Sequence, residues 1–67
     1  MISTNKIKGR LAELGLTQKD VSKALNIAQP TVNQKINNVR PMDLEEAKKL
    51  AALLQINPNE FGNYFFV

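Results

Sequence analysis

The segment TQKDVSKALNIAQPTVNQKINN (Thr17–Asn38) has the pattern of two short helices joined by a tight turn. Thr17 and Asp20 stand three residues apart, which is the spacing of a capping box at the N-terminus of a helix. Asn26 tolerates the left-handed conformation that ends many helices, and Ile27 follows it as an apolar residue that can fill the turn. The pattern therefore predicts a first helix between Thr17 and Asn26.

The second helix is expected to begin near Ala28, with Pro30 in its first turn, where a missing N–H group costs no hydrogen bond. Val32 and Ile36 lie four residues apart and form its buried face. Asn37–Asn38 ends it. The motif as a whole spans about residues 17–38.

The outward face of this second helix carries amides and almost no charge. Gln29, Asn33 and Gln34 point away from the buried face. An amide offers a donor and an acceptor together, which matches the paired N7 and N6 groups of adenine in the major groove of DNA. These three residues are therefore candidates to read bases, although each amide taken singly is also explained by simple solvation.

The charge of the chain is uneven. The net charge is +3, but the first forty residues hold seven basic and two acidic residues, whereas the remainder has a balance of −2. A basic half around such a motif is typical of DNA binding, although a solvated surface of mixed charge fits the composition equally well. The basic candidates for phosphate contact are Lys6, Lys8, Arg10, Lys19, Lys35 and Arg40. Not all of them can face one duplex.

Length and composition exclude several function classes. The 67 residues are expected to form a single domain, 1–67, and they include no Cys and no His. Disulfides, thiolate nucleophiles, imidazole bases and the usual zinc ligands are therefore absent. No apolar run approaches the roughly 20 residues that span a bilayer, and the N-terminus lacks a signal-peptide core. We expect a cytoplasmic protein that is not an enzyme and has no cofactor, membrane contact or small-molecule ligand.

Three further helices flank the motif. Ser3 or Thr4 is expected to cap the first helix of the chain, which runs to about Leu14 and stops at Gly15. The fourth helix is expected from Leu44 to about Gln55. Asp43 and Glu46 form its capping box. Its inner apolar stripe consists of Leu44, Ala47, Leu50, Ala51 and Leu54. The fifth is expected to start at Asn57-Pro58, with Glu60 as the partner of the Asn57 cap.

The chain ends in an apolar segment, residues 61–67. Its apolar and aromatic members are Phe61, Tyr64, Phe65, Phe66 and Val67. One or two of them can complete the core, and the others are expected to form an exposed patch of the kind that marks an interface. The alternative is that all of them fold back onto the core.

The motif resembles the helix-turn-helix of small phage repressors, the Cro-like and lambdoid-repressor-like family. The matching residues are Gln18, Ala24-Leu25, Ile27-Ala28-Gln29-Pro30-Thr31-Val32 and Asn37, and the likeness extends from Lys6 to about Phe61. It implies an all-α, compact five-helix lambda-repressor-like DNA-binding domain with the helix-turn-helix at its centre.

The resemblance also implies roles for single residues. Gln29, Pro30, Asn33 and Gln34 would face base edges. Gln18 would hold a phosphate at the start of the first motif helix, and Asn37 and Arg40 would reach phosphates after the second. Thr31, beside the base-reading residues, joins Lys8, Arg10, Lys19 and Lys35 as a further phosphate candidate.

The sequence departs from the family pattern at several positions. Asn26 and Asn38 stand where glycines are usual, and Ser22 stands for alanine. Lys35 replaces a bulky apolar residue, so we expect its stem to pack while its amine reaches toward phosphate. Many relatives bury an Arg–Glu pair where this chain has Leu11 and Ile36, which predicts an apolar contact instead.

By resemblance, the chain is expected to be a sequence-specific repressor from a phage or prophage. It would bind double-stranded DNA as a homodimer. Two units would read half-sites about 34 Å apart on a two-fold symmetric operator, and residues 61–67 are the candidate dimer contact. Two alternatives stay open: an interaction module that modulates a partner repressor, as an antirepressor or co-repressor, and the antitoxin of a toxin–antitoxin pair.

Overall fold

The computed structural model describes residues 1–67 and contains helices but no strands. The elements in chain order are α1 (Thr4–Glu13), α2 (Gln18–Leu25), α3 (Gln29–Ile36), α4 (Leu44–Leu53), a single 3₁₀ turn (Pro58–Glu60) and α5 (Phe61–Phe65). The all-α fold with five helices is thus confirmed. No helix has the length and apolar character needed to cross a membrane.

The core is entirely apolar, because every buried residue is hydrophobic. Helix α2 packs against both α3 and α4. The predicted face of α3 is buried, and so are apolar residues of α1 and α2: Ile7, Leu11, Val21, Leu25, Val32 and Ile36. Leu11 and Ile36 belong to this one cluster, as expected of a chain without the Arg–Glu pair. Leu44 is an exception to the predicted stripe of α4, since it lies in the first turn and is 55% exposed.

The helix-turn-helix forms where the sequence predicts it. The Asp20 carboxylate accepts a hydrogen bond of 2.8 Å from the Thr17 backbone N–H at the start of α2. Asn26 ends α2 in the left-handed conformation, with φ 56°. Ala28 then precedes α3, and Pro30 occupies its first turn. The short turn between the helices therefore needs no glycine.

Helix α1 begins at the predicted place for a different reason. Neither hydroxyl near its start caps it. The Thr4 hydroxyl instead donates to the Ile36 carbonyl at the end of α3, with an O···O distance of 2.7 Å. The stop at Gly15 is confirmed, because this residue has φ +69°.

Helix α4 has the predicted capping box but is shorter than expected. Asp43 accepts from the Glu46 N–H at 2.8 Å, and Glu46 accepts from the Asp43 N–H at 3.0 Å. The helix ends at Leu53, because Gln55 adopts a positive φ of 54° that cannot continue a right-handed helix.

The last element departs from the predicted box between Asn57 and Glu60. The Asn57 side chain accepts from the Asn59 N–H at 3.1 Å, one residue earlier than a box requires. The segment consequently opens as a 3₁₀ turn before α5.

Candidate nucleic-acid interface

The outward face of α3 is an uncharged surface of three amide side chains and one proline ring, which we call the amide surface: Gln29, Pro30, Asn33 and Gln34. All four residues are exposed, while Val32 and Ile36 of the same helix are buried. The side chains of Gln29 and Gln34 make no hydrogen bond within the protein, so their donors and acceptors are free. An α-helix with its side chains is about 10–12 Å across, which fits the roughly 12 Å width of the major groove.

Gln18 connects the amide surface to the start of α2. Its side-chain oxygen accepts a hydrogen bond of 3.3 Å from the Asn33 side-chain nitrogen. The Gln18 nitrogen and the Asn33 oxygen remain free to face a ligand. Since Gln18 is the first residue of α2, the unpaired backbone N–H groups of that helix start lie beside it, and such groups favour phosphate.

Other predicted phosphate candidates remain accessible. Lys8, Lys19 and Arg40 are exposed, and none of them forms an ion pair. Thr31 is half-buried and its hydroxyl has no hydrogen-bond partner in the protein. The Asn37 side chain donates to the Asn33 carbonyl at 2.8 Å, which leaves its own oxygen unpaired.

Two of the basic residues predicted to contact phosphate are engaged inside the protein. The Lys35 amine lies 2.6 Å from a Glu46 carboxylate oxygen, and the two side chains are only 13% and 12% exposed. The Arg10 Nε–H donates to the Leu54 carbonyl at 2.9 Å and so closes the end of α4. Both side chains bind α4 rather than facing solvent.

Lys6 is placed by an aromatic ring rather than by an acidic partner. Its amine lies 5.8 Å from the centroid of the Tyr64 ring, within the range of a cation–π contact. This position joins α1 to α5. The basic residues at the start of α1 therefore do not form one uniform phosphate-binding row.

Electrostatics at the start of α2 favour an ionised Asp20. The hydrogen bond from the Thr17 N–H lowers the pKa of this carboxyl, and the Thr17 hydroxyl and the charges of Lys23 and Lys19 act in the same direction, against a smaller effect of burial. The carboxylate consequently holds its place in the cap while the neighbouring Lys19 stays exposed.

A second exposed surface is apolar and lies where the two ends of the chain meet. We call it the terminal patch: Met1, Val39, Phe66 and Val67, which are 81%, 71%, 68% and 66% exposed. A groove of about 340 Å³ runs beside it, lined by Met1, Val39 and Phe66 among others. Met1 and Val39 were not predicted, because each lies far from residues 61–67 in the sequence.

The predicted dimer contact overlaps this patch only in part. Phe65 is 3% exposed and belongs to the core, so it cannot contact a second protein. Phe61 and Tyr64 are half-buried against the core, and the Phe61 ring lies 4.7 Å from that of Phe65. Phe66 and Val67 alone among the five are exposed, and the Phe66 ring lies 5.6 Å from the Phe61 ring.

The elements define a helix-turn-helix protein: two short helices are joined by a tight turn, and the second presents free amides on its outward face. Residues 7–61 match the Helix-turn-helix family, and the chain belongs to it. It is accordingly a DNA-binding protein of the regulator class. No match is found among the curated proteins or among the solved structures.

Proposed function

We propose that the chain is a Cro-like repressor, of phage or prophage type, that binds a two-fold symmetric operator as a homodimer. The observation that supports this most directly is the amide surface on α3. Its exposed Gln29 and Gln34 have no hydrogen-bond partner within the protein. These amides therefore have no structural purpose in the protein itself. The proposal gives them one, as readers of base edges in the major groove.

Specificity and affinity come from different residues in this mechanism. Gln29, Asn33 and Gln34 pair with base edges, and the Pro30 ring meets a thymine methyl group. Phosphates are held by Gln18 and by the remaining accessible candidates: Lys8, Lys19, Thr31, Asn37 and Arg40. Phosphate contacts fix the register of the protein on the duplex, whereas base contacts select the sequence.

The dimer follows from the size of the protein relative to its operator. One α3 reads only a few base pairs, and two half-sites on the same face lie about 34 Å apart. The protein measures 29 × 24 × 20 Å, so two copies at that spacing lie next to each other along the duplex. The terminal patch supplies an apolar surface for the contact, and it begins at Val39, three residues after the end of α3.

Selection of bound duplexes from a random pool tests the proposal. We expect enrichment of a sequence with two inverted half-sites whose centres are about 34 Å apart. A variant with Gln29, Asn33 and Gln34 changed to Ala is the control, and it should retain weak binding without the enriched sequence. If the wild-type protein enriches no sequence, base reading is refuted, and an interaction module that acts on a partner repressor becomes the better explanation.

A further inference from the structure

Asn38 joins the C-terminal end of α3 to the start of the chain. Its side-chain oxygen accepts from the Ile2 N–H at 3.0 Å, and its nitrogen donates to the Ile2 carbonyl at 2.9 Å. The same nitrogen lies 3.3 Å from the Thr4 hydroxyl, which in turn donates to the Ile36 carbonyl. One side chain thus pairs with both backbone groups of a residue 36 positions away.

The start of the chain is in turn bonded to its end. The Ser3 N–H donates to the Tyr64 carbonyl at 2.7 Å, and the Val67 N–H donates to the Met1 carbonyl at 3.1 Å. Met1 and Val67 belong to the terminal patch. A continuous set of hydrogen bonds therefore runs from α3 through Asn38 and the first residues to the patch.

The backbone conformation at Asn38 does not by itself require this side chain. Asn38 has φ 61° and Asn26 has φ 56°, so both residues end a helix in the left-handed region. Asn26 is exposed and its side chain makes no hydrogen bond. Glycine adopts the same conformation at no steric cost, which means that the side-chain bonds of Asn38 serve something other than the helix end.

We propose that Asn38 is a positioning residue that holds the terminal patch in a fixed relation to α3, and so couples self-association to operator binding. This inference rests on the proposed function. Two linked binding events reinforce each other according to the effective concentration of the second, which depends on the length and stiffness of the link. Loosening the link lowers the cooperativity of two copies on DNA while leaving each copy able to bind a half-site.

The test compares Asn38→Gly with Asn26→Gly as a matched control, since both changes keep the left-handed conformation. The probes are a duplex with the two half-sites obtained by selection and a duplex with one of them. The measured quantity is the ratio of the affinities for the two duplexes. For Asn38→Gly we expect this ratio to fall about tenfold, with the half-site affinity nearly unchanged. Asn26→Gly should alter neither.

Thr4→Val provides a second route to the same link without a change at residue 38. It removes the hydroxyl that bonds the Ile36 carbonyl, and we expect a smaller fall of the same ratio. Thermal unfolding of each variant shows whether it is folded at the assay temperature.

Three outcomes overturn the inference. An unchanged ratio in a folded Asn38→Gly variant shows that the link carries no coupling. An equal loss on the two duplexes shows that Asn38 is merely structural. If the wild-type protein has no preference for two half-sites, the proposed dimer fails first, and the coupling fails with it.

Discussion

Gln29 is the side chain whose role in base reading can be tested most directly, because it is exposed and has no partner in the protein. Gln29→Ala should weaken operator binding by about 1–3 kcal/mol and relax the preference at one base position. Arg40→Ala is the informative contrast, since loss of a phosphate contact should weaken all sequences alike and flatten the salt dependence. Quantitative binding to a set of single-base operator variants distinguishes the two patterns, and an unchanged site preference in Gln29→Ala refutes the assignment.

Gly9 and Gly15 separate the effect of backbone conformation from that of space. A Cβ atom at either position meets nothing within 4 Å, but only Gly15 has a positive φ, of +69°. Gly9→Ala should raise the free energy of unfolding by about 0.5–1 kcal/mol, because α1 gains helix propensity. Gly15→Ala should lower it by roughly 1–2 kcal/mol. Urea denaturation measures both, and a loss of stability in Gly9→Ala would contradict the expectation.

Asp20 gives the protein a defined response to acid. Its pKa in the folded state is below the ordinary value of 3.8. The unfolded chain therefore binds a proton first as the pH falls, so the stabilising effect of this carboxylate is complete above that value and disappears as the pH falls through the folded pKa. Asp20→Asn should be less stable than the wild type at about pH 7, and the difference should vanish once the pH has fallen below the folded pKa of Asp20. A difference that persists in acid would show that geometry, rather than charge, holds the cap.

Residues that act through local chemistry were predictable, and residues that depend on distant partners were not. The amides of α3 follow from helical periodicity, and Asn26 follows from its tolerance of positive φ. Lys35 and Arg10 bind Glu46 and Leu54, which lie 11 and 44 positions away. A pattern of charges along the sequence carries no information about such pairs, so the protein partners of Lys35 and Arg10 were not predicted.

At the scale of the elements, helix starts were easier to predict than helix ends. Capping boxes at Thr17 and Asp43 use side chains three residues apart, so the sequence contains both partners. The end of α4 depends on Gln55 adopting a positive φ. A glutamine in the sequence does not predict this conformation. The exposure of Leu44 was also not predicted. Leu44 is the first residue of α4 and is 55% exposed, although its spacing places it on the apolar stripe.

The pair between Lys35 of α3 and Glu46 of α4 is a feature at the scale of the elements. Lys35 and Glu46 are largely removed from water, so Lys35→Met or Glu46→Gln alone should lower the free energy of unfolding by roughly 1–3 kcal/mol. The double variant should recover part of that loss, because a buried pair is often replaced by neutral groups at little cost. Urea denaturation of the four proteins gives the coupling energy.

The same variants decide whether Lys35 also contacts DNA. A lysine that neutralises a phosphate contributes about 0.9 to the slope of log affinity against log salt concentration. Because the Lys35 amine is already paired with Glu46, Lys35→Met should leave that slope unchanged. A slope reduced by about 0.9 would restore Lys35 to the phosphate contacts.

For the whole molecule, the meeting of the two chain ends is the feature that the sequence did not reveal. Hydrogen bonds from Ser3 to Tyr64 and from Val67 to Met1 are main-chain contacts, which any residue types can make. These bonds and Asn38, together with the burial of Ile2 and Phe65, bring Met1, Val39 and the last two residues together. The sequence predicted an apolar interface at residues 61–67 but could not separate Phe65, which enters the core, from Phe66, which does not.

That distinction determines how the dimer is tested. Removing the chain beyond Phe61 would also remove Phe65 from the core, so loss of folding and loss of association could not be separated. The double variant Phe66→Ser and Val67→Ser changes only exposed side chains. Leu44→Ser is the matched control, since Leu44 is the remaining large exposed hydrophobic residue and lies outside the terminal patch.

If two copies meet through the terminal patch, the double variant should weaken self-association tenfold or more, equivalent to about 1.4 kcal/mol, because less apolar surface is then buried between copies. Its unfolding midpoint and its affinity for a single half-site should stay close to those of the wild type. Sedimentation equilibrium, with and without duplex DNA, measures the association. An unchanged oligomer in the double variant, or an equal loss in Leu44→Ser, would place the contact elsewhere on the protein.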